Sequence, residues 1–442
     1  MDIKQFEYKP LAHYSYTLVS ESKMVIIDPE RNPEQYYNYA KQQNATIIAV
    51  IETHPHADFV SSHLQIHNDT DADVYNSSKL NADYPHKSFD DGDEILLGNI
   101  TLKAINTPGH SPDSITVVAS ENDEIALFTG DTLFVGDIGR PDLREIDGNM
   151  ETKRKELAEK MYHTITEKFK NFPDDAKVFP AHGAGSLCGK GMSDENSSTL
   201  GDERKNNWAF KHQTREEFID TLLEGQPFIP SYFSYNVSVN KAGASSLKPS
   251  ISEIPFFENA ISEGLIVDTR DEANFKKNHL EGSFNIQAVS KNAKFETWLG
   301  SIITPEEKFT VVIENKEKKN EILHRVAKIG YEKFLEKIIT LPKDSLETSN
   351  NLNIQDFKNN LNNYTIVDIR NTSEVEKDKI FNNAISHPLN KLRDTLDKIP
   401  TDKPIMVHCA GGYRSAAGAS ILERKIKDVK IYDLSDQINQ FK

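Results

Sequence analysis

Three apolar runs, each leading to a potential metal ligand, constrain this chain more than any other feature. Ile47-Ile48-Ala49-Val50-Ile51 runs into Thr53-His54-Pro55, and Ile100 to Ile105 leads to Gly109-His110-Ser111. Ile125-Ala126-Leu127-Phe128 leads to Thr129-Gly130-Asp131-Thr132. Short runs rich in β-branched residues read as buried strands. Their polar ends are then expected to converge on one rim of a sheet sandwich. Two imidazoles and one carboxylate on such a rim form a face that suits one iron(II) and leaves coordination positions open for substrate and dioxygen.

The residues around these positions resemble the metallo-β-lactamase superfamily. His54-Pro55-His56-Ala57-Asp58 matches its H-x-H-x-D-H signature up to the last place, where Phe59 replaces a histidine. In binuclear zinc hydrolases such as glyoxalase II, a second metal needs Asp58, that histidine and a late histidine such as His182, with Asp131 as a bridge. A phenyl ring has no lone pair to donate, so a single-metal site is expected. His63 lies one helical turn beyond Phe59 and would be the substitute ligand if a helix started near Asp58.

The segment after Asp131, Leu133-Phe134-Val135-Gly136-Asp137-Ile138-Gly139-Arg140-Pro141-Asp142, resembles persulfide dioxygenases. These enzymes oxidise the outer sulfur of a thiol persulfide to sulfite with one iron. The resemblance implies Fe(II), one per chain, on His54, His110 and Asp131. It places His56, Asp58 and His182 around the site rather than on the metal, where a carboxylate can orient a ligating imidazole. Arg140 and Asp142 are candidates for reading the thiol carrier, Arg140 through its fork of donors; a salt bridge between the two is the alternative. Cys188, in Ser186-Leu187-Cys188-Gly189-Lys190, fits either a pocket lining, since glycines permit close approach to a ligand, or an inert buried thiol.

Composition narrows the partners. The chain has 442 residues, 52 Lys+Arg against 68 Asp+Glu, and a net charge of -16. Nucleic acid and anionic membranes both call for positive surface, so neither is expected. No stretch approaches the roughly 20 apolar residues of a membrane span. The opening Met1-Asp2-Ile3-Lys4-Gln5 lacks the regions of a signal peptide, and the two cysteines cannot staple a secreted fold. A cytoplasmic location is expected, as is a homo-oligomer, dimer or tetramer.

Residues 1–240 read as strand-rich and then helical, with helical spacing over 151–170 and 202–223. Lys241-Ala242-Gly243-Ala244-Ser245-Ser246 has the small, polar composition of a linker. Beyond it the chain repeats itself. Leu265-Ile266-Val267-Asp268-Thr269-Arg270 recurs as Thr365-Ile366-Val367-Asp368-Ile369-Arg370. Short strands alternating with helices indicate a small, mainly parallel α/β fold. Both copies, 241–345 and 346–442, resemble rhodanese domains. The expected architecture is therefore α/β throughout: an αββα metallo-β-lactamase sandwich followed by two small α/β rhodanese domains.

Chemistry is expected in the second copy. Pro404-Ile405-Met406-Val407-His408 runs into Cys409-Ala410-Gly411-Gly412-Tyr413-Arg414-Ser415 and a helix of small residues. A thiol at the base of such a loop faces backbone N–H groups and a helix N-terminus, and Arg414 adds a positive charge favouring the thiolate. Four residues, Ala410 to Tyr413, separate cysteine from arginine; related phosphatases have five, and sulfurtransferases have the smaller cradle. Cys409 and Arg414 are thus the catalytic candidates, with Ala410, Gly411, Gly412, Tyr413 and Ser415 as the persulfide cradle. The first copy leads from Phe309-Thr310-Val311-Val312-Ile313 into Glu314-Asn315-Lys316 without cysteine and is read as a spacer or docking module.

Together these readings imply a persulfide dioxygenase–rhodanese fusion acting in sulfide detoxification. A small thiol persulfide and O2 give sulfite and free thiol, and Cys409 then passes persulfide sulfur to sulfite, forming thiosulfate. One alternative is a glyoxalase II-type thioester hydrolase, which needs two metals. Another is a non-catalytic sulfur carrier or redox adaptor, which leaves the metal triad unexplained.

Overall fold

The computed structural model describes residues 1–141, 150–211, 213–289 and 293–442. The chain divides into two compact units, Met1–Pro249 with Ala327–Gly330 and Ser250–Val326 with Tyr331–Lys442.

The first unit is a sandwich of two six-stranded sheets. One sheet runs Asp2–Tyr8, His13–Ser20, Lys23–Ile27, Thr46–Ile51, Asp73–Asn76 and Lys87–Ser88. The other is ordered Ser198–Thr199, Lys177–Pro180, Glu124–Gly130, Ile115–Glu121, Ile100–Asn106 and Glu94–Leu97. Side chains alternate across each strand, and here both faces are covered. Val25, Ile27 and Ile51 meet Leu102, Val117 and Phe128 between the sheets. Met24, Ile26 and Val50 point the other way, against Tyr36 and Ala40 of helix Glu34–Gln42 and Ile66 of helix His63–Thr70. On the far side Leu127 and Val178 pack under Met161, Phe218 and Leu222. Burial on both faces is why these strands read as unbroken apolar runs.

Of two expected helical stretches, one is corrected. The stretch 151–170 is a helix, Met150–His163, continued by a wider turn over Thr164–Lys168. The stretch 202–223 is not one helix but Leu200–Asn206 and Arg215–Leu223 with a 3-10 turn at Trp208–Phe210. Asn207 makes the break: its side chain accepts from Ala209 N–H (3.0 Å) and donates to Asp137 C=O (2.9 Å). Local bonds of this kind compete with helix continuation. The expected linker also begins later than 241, because helix Tyr232–Ala242 takes its first two residues. Asn240 in that helix donates to the C=O groups of His56 and Phe59, both at 2.8 Å, and accepts from Ser61 N–H. The helix end thus bolts the histidine motif in place.

The second unit holds two parallel sheets. One is ordered Phe256–Phe257, Leu335–Ile339, Phe309–Val312, Leu265–Asp268 and Phe284–Asn285. The other is ordered Ile385–Ser386, Thr365–Asp368, Ile405–His408 and Ile431–Asp433. The repeated Asp-x-Arg is an ion pair closing each first strand. Arg270 reaches Asp268 at 2.6 Å and Arg370 reaches Asp368 at 2.7 Å, all four side chains buried. Among the described residues no helix is long and apolar enough to cross a membrane.

Candidate metal centre and cysteine site

Strand Thr46–Ile51 delivers His54, strand Ile100–Asn106 precedes the turn carrying His110, and strand Glu124–Gly130 ends directly before Asp131. The strands lie in different sheets, and their ends meet where Gly130 adopts φ +53° against Thr53. A Cβ at Gly130 would collide with the Thr53 side chain, so this approach needs glycine. His54 Nε2 and His110 Nε2 each stand 3.6 Å from Asp131 Oδ2, and the three side chains are buried. Asp131 Oδ2 has no hydrogen-bond partner among the described residues. Buried carboxylate oxygens are normally paired, so an orphan facing two imidazoles makes this group a candidate cation site.

The tautomers follow from the neighbours. His110 Nδ1 lies 2.9 Å from Arg140 C=O; a carbonyl can only accept, so Nδ1 carries the hydrogen and Nε2 keeps its lone pair. Thr53 Oγ1 donates to Asp28 Oδ2 (2.8 Å) and so accepts from His54 Nδ1 (3.0 Å). Both Nε2 lone pairs therefore face Asp131, the condition for ligation. Burial, with His56 close by, pushes the His54 imidazole well below its ordinary value, which favours the neutral form. Burial alone would raise the Asp131 carboxyl, but His182 beside it holds it well below the usual range. Thr53 and Asp28 were not among the residues singled out from the sequence. The signal was present, since Lys23–Ile27 is another apolar strand followed by an acid. Thr53→Val, which removes the acceptor while keeping the shape, is expected to weaken metal affinity about 10–100-fold in a chelator competition. Unchanged affinity would show that the Thr53 contact does not orient His54.

His56 turns away from the triad. Its Nε2 lies 3.2 Å from Asp28 Oδ1 and 3.6 Å from Glu52 Oε2. Its ring does not orient His54; Thr53 does. Phe59 is fully buried and packs on His13 and His56, with centroids 4.0 and 4.4 Å apart. The helix begins at His63 rather than near Asp58, and the His63 ring lies against Tyr84 with Nδ1 3.4 Å from Glu52. It does not replace the missing histidine.

A second group of donors forms beside the triad: Asp58, His182 and Cys188, whose ligand atoms lie within 4.8 Å of one another. The convergence of Cys188 on this group was not foreseen. His182 bridges two acids, with Nδ1 2.7 Å from Asp131 Oδ1 and Nε2 2.9 Å from Asp58 Oδ2. Burial, followed by Asp131 and Asp58, pushes the Cys188 thiol well above its ordinary value. Without a metal on it, Cys188 is a protonated thiol facing the candidate centre.

Arg140 departs from expectation. Its side chain is 1 % exposed and donates to Leu187 C=O at 3.2 Å, while its N–H donates to Cys188 C=O. It ties the loop after Asp131 to the loop after His182. Asp142, its suggested partner, lies outside the described residues.

In the second unit, strand Ile405–His408 delivers Cys409 to the base of a loop ending at helix Tyr413–Lys425. Cys409 is buried, and Gly412 N–H donates to its Sγ at 3.1 Å. Gly412 adopts φ +103°, and a Cβ there would meet the backbone at Ser435 and Asp436. A Cβ on Gly411 would meet nothing within 4 Å, so the cradle opens on the Ala410–Gly411 side. Ser415 Oγ donates to Gly412 C=O at 2.8 Å and firms the turn. The charge of Arg414 is not free as expected, because Glu374 holds it through two bonds of 2.6 and 2.7 Å. Tyr413 leaves the cradle, its hydroxyl donating to Gln287 C=O in the first repeat at 2.8 Å.

Comparison with known proteins agrees with the folds that carry the two sites. Residues 8–182 match the Metallo-beta-lactamase superfamily, and residues 256–336 and 353–437 each match the Rhodanese-like domain. A crystal structure of a metallo-beta-lactamase from Staphylococcus aureus subsp. aureus COL is 31% identical, with a TM-score of 0.71, and covers 77% of this chain and 99% of its own. Persulfide dioxygenase ETHE1 of Homo sapiens is 29% identical over 36% of this chain and 58% of its own length. A cytoplasmic hydroxyacylglutathione hydrolase of Arabidopsis thaliana is 30% identical over 38% of this chain and 63% of its own length. The chain belongs to the metallo-beta-lactamase superfamily and carries two rhodanese-like domains behind that fold.

Proposed function

We propose that this protein oxidises a small thiol persulfide to sulfite at an iron(II) held by His54, His110 and Asp131, and transfers persulfide sulfur through Cys409 to sulfite. What carries the reading is the pairing, in one chain, of two imidazole lone pairs around an orphaned carboxylate oxygen with a buried thiol cradled by backbone N–H. Similarity to a persulfide dioxygenase over the first part of the chain supports it. Two imidazoles and one carboxylate suit iron(II), which when bound supplies open positions for sulfur and dioxygen.

The first reaction balances as R–S–SH + O2 + H2O → R–SH + SO3²⁻ + 2 H⁺. The protein's part is to hold the centre and shape its surroundings. Thr53 and the Arg140 carbonyl keep the imidazoles in the ligating tautomer, and Phe59 and His13 wall one side. In the second reaction the Cys409 thiolate takes the outer sulfur of a second R–S–SH, releasing R–SH, and sulfite then attacks the outer sulfur of the resulting Cys409 persulfide. The S–S bond breaks, thiosulfate leaves, and Cys409 regains its thiol while the Gly412 N–H holds the sulfur.

A second reading, a two-metal thioester hydrolase, has two observations in its favour, the Asp58–His182–Cys188 group and the similarity to a hydroxyacylglutathione hydrolase. Against it stand Phe59 and the engagement of both His182 ring nitrogens by carboxylates. Metal analysis with parallel assays of oxygen uptake on a persulfide and hydrolysis of a thioester decides between them. One iron per chain with oxygen uptake supports the proposal, and two metals with hydrolysis alone would overturn it.

Because Arg140 is buried between loops, Arg140→Ala is expected to reduce oxygen uptake equally for anionic and neutral persulfides. Destabilisation is expected too, about 1–3 kcal/mol, as the Leu187 carbonyl loses its donor and the buried guanidinium leaves a void. A KM rise confined to anionic persulfides would restore the carrier-reading role.

A further inference from the structure

Two interruptions of regular helix face the same cavity. The wider turn Thr164–Lys168 follows helix Met150–His163. The 3-10 turn Trp208–Phe210 separates helices Leu200–Asn206 and Arg215–Leu223. Both turns, with residues that follow each of them, line a cavity of about 410 Å³ in the first compact unit. Single wide turns of this kind are rare in helices and occur frequently at functional sites. The volume falls within the range of small-molecule pockets, about 300–1,000 Å³.

Walls and rim differ in chemistry. Ile165 and Phe169 on one side and Phe210 on the other give apolar surface, whereas Lys170, Arg204 and Lys211 bring positive charge. Among the described residues no acid lines the cavity, in a chain whose net charge is -16. Arg204 is the brace. One guanidinium nitrogen donates to the carbonyls of Phe169, Lys170 and Phe172 at 2.8, 3.1 and 2.9 Å, and the other pairs with Asp174. The chain just after the wide turn is thereby held in place. Lys211 donates to the Lys205 carbonyl across the helix break. Lys170 is exposed, and among the described residues no acid pairs with its ammonium.

Apolar walls under a cationic rim suit a ligand that is flat and apolar at one end and anionic at the other. A bare anion would leave the aromatic surface unfilled, and a neutral ring would leave the cations without a counter-charge. Lysine and arginine hold oxyanions through charge-assisted bonds, and aromatic side chains offer stacking faces. We propose that this cavity binds a small planar anion, a ring bearing a phosphate, sulfonate or carboxylate. Such binding stands whichever reaction the metal centre catalyses.

Calorimetric titration of the full-length protein tests it, with ADP and naphthalene-2-sulfonate as planar anions. Adenosine serves as a neutral ring and pyrophosphate as a bare anion. At least one planar anion should bind at about one site per chain. Adenosine and pyrophosphate should bind at least about tenfold more weakly, because each meets only half of the cavity's chemistry. ADP as the tighter ligand would assign a nucleotide, and the sulfonate as the tighter one an aromatic acid. Lys170→Ala should weaken that binding about tenfold, the worth of one charge-assisted hydrogen bond at a partly exposed site. Lys41→Ala, at an exposed position on helix Glu34–Gln42, makes the same change in net charge and should leave binding unaltered. Failure of both planar anions to bind would overturn the proposal. So would pyrophosphate binding as tightly as either of them, or equal losses in the two variants.

Discussion

His110→Ala should leave the purified protein with almost no bound iron and no measurable oxygen uptake on a thiol persulfide. Three protein donors hold the proposed ion, and His110 supplies one of the two lone pairs aimed at Asp131 Oδ2. Removing an outer partner of a metal ligand costs about 10–100-fold in affinity, so deleting a ligand should exceed the upper figure. Among the described residues no further donor group replaces it on the same face. Cys188 and His182 belong to the adjacent donor group, and both His182 nitrogens are already engaged. Iron content and oxygen consumption should therefore fall together, while transfer through Cys409 from an added persulfide to added sulfite persists. Two zinc ions per chain with undiminished activity would instead show that the second donor group holds a metal and that the single-metal reading is wrong.

The parts of this centre that were legible in the sequence are those fixed by strand geometry. A strand buried on both faces must be apolar throughout, so the polar residues just past its end lie at the rim; His54, three residues beyond Ile51, and Asp131, next after Gly130, stand out for that reason. The repeat was legible because Asp268–Arg270 and Asp368–Arg370 close equivalent strands with the same ion pair. The remainder depends on long-range encounters that no periodicity encodes. His56 keeps its place in the motif yet turns toward Asp28 and Glu52, because those acids lie behind it in the folded chain. Cys188 reaches Asp58 across 130 positions through a loop tied down by buried Arg140, whose side chain reads in sequence as an available cation. Glu374 neutralises Arg414 from the first turn of helix Thr372–Lys377, a pairing visible only once the second repeat is folded. The same holds for Gln287.

Cys409→Ser should separate the two activities. Serine preserves the size of the side chain and can accept from the Gly412 N–H, so the loop and the helix Tyr413–Lys425 should keep their form. Its hydroxyl, though, has a far higher pKa than a thiol and does not accept sulfur from a persulfide, since thiol–disulfide chemistry proceeds by thiolate attack on sulfur. Thiosulfate formation from persulfide and sulfite should fall by at least about a thousandfold, the order lost when a covalent nucleophile is removed. Oxygen uptake should stay near wild type, because the donors of the metal centre belong to the other compact unit. Sulfite should accumulate in place of thiosulfate. Ion chromatography of both anions during turnover reads the outcome directly. Full thiosulfate production by the variant would mean that sulfur reaches sulfite without Cys409, and the thiol held by Gly412 would then need another role. A parallel loss of oxygen uptake would mean instead that the two chemistries are not separable, and the two-step scheme itself would have to be abandoned.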